Sequence, residues 1–259
     1  MKKIAIANPK GGSGKTTTAV HLAALLAEKG QRTLLIDLDS QGHAILSFGI
    51  ESQNNGLENP VVVSDTLAIA SLGNDFAGDD VNTLLNQLAT VENQYDFAII
   101  DTPPALNALT ANAIVAGNGL IVPIEAGIFS LYGAQRLLRF VEQVRNAQTL
   151  PVWALVTLCK ARTKFTKQFI EELSQSFENR FNTAIDASIK MKEAAAAGKP
   201  ITTYAKKCRC SQDYLALTEE FLTRVVPTLT TESSAVTITA PLNESGVTVD
   251  EFDQLMKDF

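Results

Sequence analysis

Along the first 226 residues, short apolar runs alternate with amphipathic stretches. The apolar runs predict strands at 2–8, 33–37, 66–72, 97–101, 119–124, 152–158 and 183–187. Between them, the spacing of apolar positions predicts helices at 15–29, 80–92, 106–116, 130–147, 164–178, 190–197 and 211–226. Runs such as Leu34-Leu35-Ile36 and Ala98-Ile99-Ile100 are apolar throughout, as strands buried on both faces require. Strands separated by helices imply an α/β fold, a mostly parallel sheet with helices on both faces. Residues 50–65, with Asn54-Asn55-Gly56 and Asn59-Pro60, read as a polar loop. From Pro227 to Ser245 the composition turns to Thr, Ser, Glu and Pro, which predicts a linker or flexible arm. Beyond it Val249, Phe252, Leu255 and Met256 recur at helical spacing. The expected organisation is a domain over 1–226, then a linker and a short amphipathic segment over 227–259.

One turn in this pattern carries chemistry. Residues 10–17 read Lys-Gly-Gly-Ser-Gly-Lys-Thr-Thr, after the apolar run Ile4-Ala5-Ile6-Ala7 and before the first predicted helix. Strand, glycine-rich turn and helix is the context of a phosphate-binding loop, so the sheet is expected to be of the P-loop NTPase type. Gly11, Gly12 and Gly14 let successive backbone N–H groups of Lys10 to Thr17, Ser13 among them, turn toward phosphate oxygens, and the helix N-terminus adds partial positive charge. Lys15 is placed to reach the β- and γ-phosphates, and the Thr16 hydroxyl to complete the shell of a Mg²⁺ ion. Two predicted strands end in aspartate, Asp37 and Asp101, at the edge where open α/β sheets bind ligands.

An ordinary phosphate loop needs one lysine, and Lys10 lies five residues ahead of it. With Lys10, the loop resembles the deviant Walker A loop of the ParA/MinD ATPases. Leu34-Leu35-Ile36-Asp37-Leu38-Asp39-Ser40-Gln41-Gly42 resembles that family's switch I segment, and Ala98-Ile99-Ile100-Asp101-Thr102-Pro103-Pro104 its Walker B strand and switch II. The likeness continues through Lys199-Pro200 to the helix after Ser211, roughly residues 1–226. It implies a Mg²⁺-dependent ATPase. Asp101 would hold the ion through water, with Asp37 supporting it at one remove, and Asp39 would position the attacking water. Lys10 would point across a two-fold interface at the nucleotide of a second copy, so that ATP drives homodimer formation.

Composition adds a partner and removes several functions. The chain of 259 residues carries a net charge of −6, yet residues 160–209 hold eleven basic and five acidic side chains, leaving −12 for the remainder. That asymmetry marks a polyanion-binding face. The family resemblance points to sequence-independent DNA contact there, with Arg162, Lys164, Lys190, Lys206, Lys207 and Arg209 the expected contacts. Two stretches depart from the family pattern. Ile185-Asp186-Ala187-Ser188-Ile189-Lys190 stands where Ile-Pro-Arg-Asn-Val-Arg is common near adenine, and Cys208-Arg209-Cys210 where Ser-Arg-Gly is frequent. The three cysteines fit a reducing compartment. Cys208-Arg209-Cys210 has the look of half a metal site, but with only His21 and His43 and no second cysteine pair, zinc is not expected. No apolar run approaches the length of a membrane span, and the amino end reaches the phosphate loop too soon for a signal peptide.

The expectation is therefore a cytoplasmic ParA-type ATPase, nucleoid-associated when ATP-bound, that segregates or positions DNA or another cargo. An adaptor of ParB type, or another cargo adaptor, would stimulate its hydrolysis. Two alternatives are a MinD-like membrane-associated regulator, which the acidic carboxyl end and the basic 160–209 region oppose, and a nucleotide-gated scaffold that hardly hydrolyses ATP, which an intact Asp39 opposes.

Overall fold

In the computed structural model, residues 1–51, 55–73, 76, 80–145, 149–159 and 164–229 are described. Eight strands form one sheet among them: β1 (Lys2–Ile6), β2 (Thr33–Asp37), β3 (Val61–Ser64), β4 (Leu67–Ser71), β5 (Phe97–Asp101), β6 (Gly119–Glu125), β7 (Val152–Thr157) and β8 (Asn179–Arg180). Their order is β3-β4-β2-β5-β1-β6-β7-β8, and every pairing is parallel except β3 with β4. The helices are α1 (Lys15–Glu28), α2 (His43–Leu46), α3 (Thr83–Val91), α4 (Ala108–Ala116), α5 (Ile128–Arg145), α6 (Lys164–Ser176), α7 (Ile189–Ala196), α8 (Ile201–Tyr204) and α9 (Arg209–Glu220).

Because side chains alternate along a strand, an all-apolar strand feeds two cores. Ala5, Leu34, Ile36, Ala98, Ile100 and Val122 pack with Leu84, Leu88, Ile114, Leu137 and Phe169, from α3 to α6. Ile4, Ile6, Leu35, Ile99, Ile121 and Leu155 face the other way, against α1 and α9. On α1, Val20, Leu22, Leu25 and Leu26 are essentially inaccessible. At about 1.5–3 kcal/mol each, their burial anchors the helix on the order of 10 kcal/mol. The helix that starts at Lys15 is thus a fixed platform.

The α/β expectation holds, and the departures have local causes. Within 50–65, the β-branched run Val61-Val62-Val63 forms an antiparallel edge strand, mostly exposed and so without inside–outside alternation. The strand expected at 183–187 does not form; regular pairing with β7 falls earlier, at Asn179–Arg180. Glu220 accepts the backbone N–H groups of Asn182 (2.7 Å) and Thr183 (2.9 Å), drawing that stretch toward α9. The chain then returns, with Ile185 N–H donating to the Val156 carbonyl and Asp186 bridging Cys159. Helices α2 and α8 were not expected. The α9 helix starts two residues earlier than the spacing indicates. Its continuation reaches Leu229, which is buried where Gly119 leaves room, past the boundary expected at 226. Arg162 and the amphipathic segment over 247–257 lie outside the described residues.

Candidate active site

The sheet order places β1 between β5 and β6, with the chain proceeding to one side through β2 and to the other through β6. The loop after β1 therefore sits at the point where connection direction reverses, the binding crevice of open α/β sheets. Three ties hold it. Thr157 Oγ1 donates to the Ser13 carbonyl (2.7 Å), the buried Asn8 amide donates to Pro123 O (2.7 Å), and Asn8 Oδ1 accepts the Lys10 N–H (2.9 Å). Gly12 and Gly14 take φ +73° and +93°, the left-handed region open to glycine. Gly14 caps α1 with no side-chain partner for the N–H groups of the first turn.

The two lysines diverge. Lys15 is buried and its Nζ donates to the Lys10 carbonyl (3.2 Å). Burial lowers its pKa, and the negative fields of Asp101 and Asp39 oppose that shift. Lys10 is about one-third exposed; its Nζ pairs with the Glu125 carboxylate and donates to Ser130 Oγ (3.1 Å). Each lysine thus serves a different side of the loop.

Asp37 and Asp101 are register partners at the ends of β2 and β5, both fully buried. Asp37 spends its oxygens on backbone: Oδ1 accepts the Asp39 N–H (3.0 Å) and Oδ2 the Ala44 N–H at the start of α2 (2.9 Å). It shapes the turn that presents Asp39. Burial nevertheless raises its pKa to about 6. Neither oxygen of Asp101 has a well-formed hydrogen bond, although the Thr16 hydroxyl lies near enough to act on it. Burial, then the charge of Asp37, pushes the Asp101 pKa well above the carboxylate range. Asp39 is half-buried, with Oδ1 accepting the Gln41 N–H (3.1 Å). Thr16 and Thr17 are half-buried on the first turn of α1. The structure thus gathers Lys15, Thr16, Asp37, Asp39 and Asp101 around one loop.

Glu125 and Ser130 do not stand out in the sequence, although Glu125 ends an apolar strand just as Asp37 and Asp101 do. Thr157 and Asn8 give no signal there, since their roles arise only when β7 and β6 lie beside the loop. His21 has no partner visible in sequence. In the fold its Nδ1–H donates to the Thr17 carbonyl (2.7 Å), its Nε2 accepts the Ile201 N–H (2.8 Å), and its ring stacks on Tyr214 at 4.6 Å.

The basic region is partly on view. Lys190, Lys206, Lys207 and Arg209 are exposed. The Glu193 carboxylate accepts from both Lys190 Nζ (2.7 Å) and the Tyr204 hydroxyl (3.3 Å), so α7 neighbours α8, which leads into the turn before α9. Lys190 pairs with Glu193 (2.7 Å) and Arg209 with Asp213 (3.3 Å). Lys164 begins α6. Among the described residues no helix is long and apolar enough to cross a membrane, and no group of three or more His, Cys, Asp or Glu side chains is placed to hold a metal.

Residues 4–201 match the family model described as the CobQ/CobB/MinD/ParA nucleotide binding domain. The chain is similar to the chromosome-partitioning ATPase Soj of Thermus thermophilus, 36% identical over 242 residues that cover 87% of this chain and 97% of that protein. It is also similar to the sporulation initiation inhibitor protein Soj of Bacillus subtilis, 34% identical over 246 residues, 85% of this chain and 97% of that one. Among solved structures, a Borrelia burgdorferi B31 protein assigned to plasmid partition, with AMPPNP bound, superposes with a TM-score of 0.69. It is 26% identical and covers 85% of this chain and 98% of its own.

Proposed function

The chain belongs to the CobQ/CobB/MinD/ParA nucleotide-binding family, and from that premise we propose that it is a ParA-type ATPase that dimerises on ATP, binds DNA without regard to sequence, and segregates or positions a cargo. The observation that carries this reading is the division of labour between the two lysines. Lys15, buried beside Asp101 and Asp39, is the cation for a triphosphate bound on its own loop. Lys10, partly exposed and held by Glu125 and Ser130, has no task there that Lys15 leaves undone. A second copy docked across the loop would give it one.

Backbone N–H groups from Gly11 to Thr17 would cradle the phosphates. The two unengaged oxygens of Asp101, buried beside Thr16, fit a divalent cation, with Asp37 bracing the neighbouring turn. Mg²⁺ bound there would offset phosphate charge and add to the positive field that Lys15 already gives Asp101. Asp39, whose own N–H is held by Asp37, would orient a water. Lys206, Lys207, Arg209 and Lys190, with Lys164 and Arg162, would meet DNA phosphates. The acidic remainder of the chain leaves an adaptor protein free to engage other faces and stimulate hydrolysis. In the cell this reading puts the protein in the cytoplasm, on the nucleoid while ATP-bound.

Sedimentation of wild type and Lys10→Ala, each with and without ATP in an Asp39→Ala background, tests the lysine assignment. Lys10→Ala should bind ATP yet stay monomeric. Equal ATP-dependent dimerisation by both chains would refute it.

A further inference from the structure

The turn into α9 carries a cysteine pair that the nucleotide site does not use. Cys208 caps α9 and is half-exposed, whereas Cys210, in its first turn, is fully buried. Their sulfurs lie 3.1 Å apart, in direct thiol–thiol contact. Residues two apart at a helix start have Cα atoms roughly 5.5 Å apart, within the span of a disulfide. We infer that Cys208 and Cys210 form a reversible redox pair, a site of oxidation by low-molecular-weight disulfides.

Exposure sets the order of events. The Cys208 thiolate attacks a small disulfide, whose S–S bond breaks; one small thiol departs with the proton that Cys208 gave up. The Cys210 sulfur then attacks Cys208 Sγ in the mixed disulfide. The second small thiolate leaves and takes the Cys210 proton. Two protein thiols are oxidised, and one small disulfide is reduced to two thiols. Burial and the neighbouring Cys208 sulfur raise the Cys210 pKa to about 11, so Cys210 serves as the resolving thiol and Cys208 as the entry point. Metal binding is the weaker use of the pair, because no third ligand joins it among the described residues. Cys159 stays outside this chemistry, buried and donating its S–H to the Ile185 carbonyl. The product closes a small ring around Arg209, whose guanidinium holds Asp213, and the inference stands whether or not that turn meets DNA.

The full chain, reduced and then held in excess glutathione disulfide, is alkylated and weighed intact. The wild type should lose two of its three alkylatable thiols together, gain no glutathione, and recover both with dithiothreitol. Cys210→Ser should accumulate one glutathione on Cys208, and Cys208→Ser should keep both remaining thiols. Three free thiols in the oxidised wild type, stable glutathione adducts on it, or disulfides only between chains would each overturn the inference. The wild-type arm decides it even if Cys210→Ser folds poorly.

Discussion

Acid should weaken this fold through His21. Its Nε2 accepts the Ile201 N–H, so the neutral ring is the form that fits, and burial lowers its pKa to about 4 against the opposing Thr17 carbonyl. An unfolded chain has a histidine near 6.5, so between those values the unfolded state binds more protons and stability falls as pH falls. Linkage gives a loss of about 2 kcal/mol at pH 5 and about 3 kcal/mol at pH 4 relative to neutral pH. Asp37, raised to about 6, acts in the opposite sense: its folded form takes up a proton first, which favours the fold as pH drops. A variant that keeps this aspartate isolates the histidine. His21→Phe retains a ring against Tyr214 but leaves the Ile201 N–H without its acceptor, a cost of about 1–3 kcal/mol at neutral pH. Urea unfolding of both chains from neutral pH down to about pH 4 should show the wild-type advantage shrinking to nothing or reversing. A gap that stays constant over that range would mean His21 is not held neutral by its surroundings.

Asp39→Ala should leave ATP affinity intact while hydrolysis drops roughly a hundredfold or more, as phosphate release would record; wild-type turnover would remove Asp39 from the chemistry. Replacing Lys206, Lys207 and Arg209 together should weaken DNA binding in ATP and flatten its salt dependence by roughly 0.9 for each phosphate left unneutralised, with nucleotide affinity unchanged. An unaltered salt slope would move the DNA surface elsewhere. Gly198→Ala should lower stability by about 2–4 kcal/mol, read as a shifted urea midpoint, because the residue has φ +60° and its Cβ would stand 2.5 Å from Gly49 Cα.

What could be read from the chain was what lies close together in it. The phosphate loop, Asp37-Leu38-Asp39 and Asp101 are local motifs on strands apolar enough to be unmistakable, and they meet where the strand order puts them. Glu125 carried the same strand-end signal, but its importance depends on Lys10 arriving from the neighbouring strand. The tie from Thr157 to Ser13 spans 144 residues, and no local pattern encodes it. The bend before Asp186 is likewise set from a distance, by Glu220. Strand β3 has no legible signal because an exposed edge strand shows no alternation.

Gly49 and Gly198 meet backbone to backbone, with no side chain between them to repack. A joint of that kind has no rotamer to change, so the two backbones can separate or approach only by moving themselves. On one side it is separated from Asp39 by a turn and α2; on the other, the chain leads through Ile201, pinned to His21, into the turn of Lys206 and Lys207. The contact therefore ties the end of the α2 turn, on the Asp39 side, to the segment that leads into the basic turn. The constraint is mutual, since both residues sit in the left-handed region, at φ +71° and +60°, and a Cβ on either would press on the other's backbone, at 3.2 and 2.5 Å.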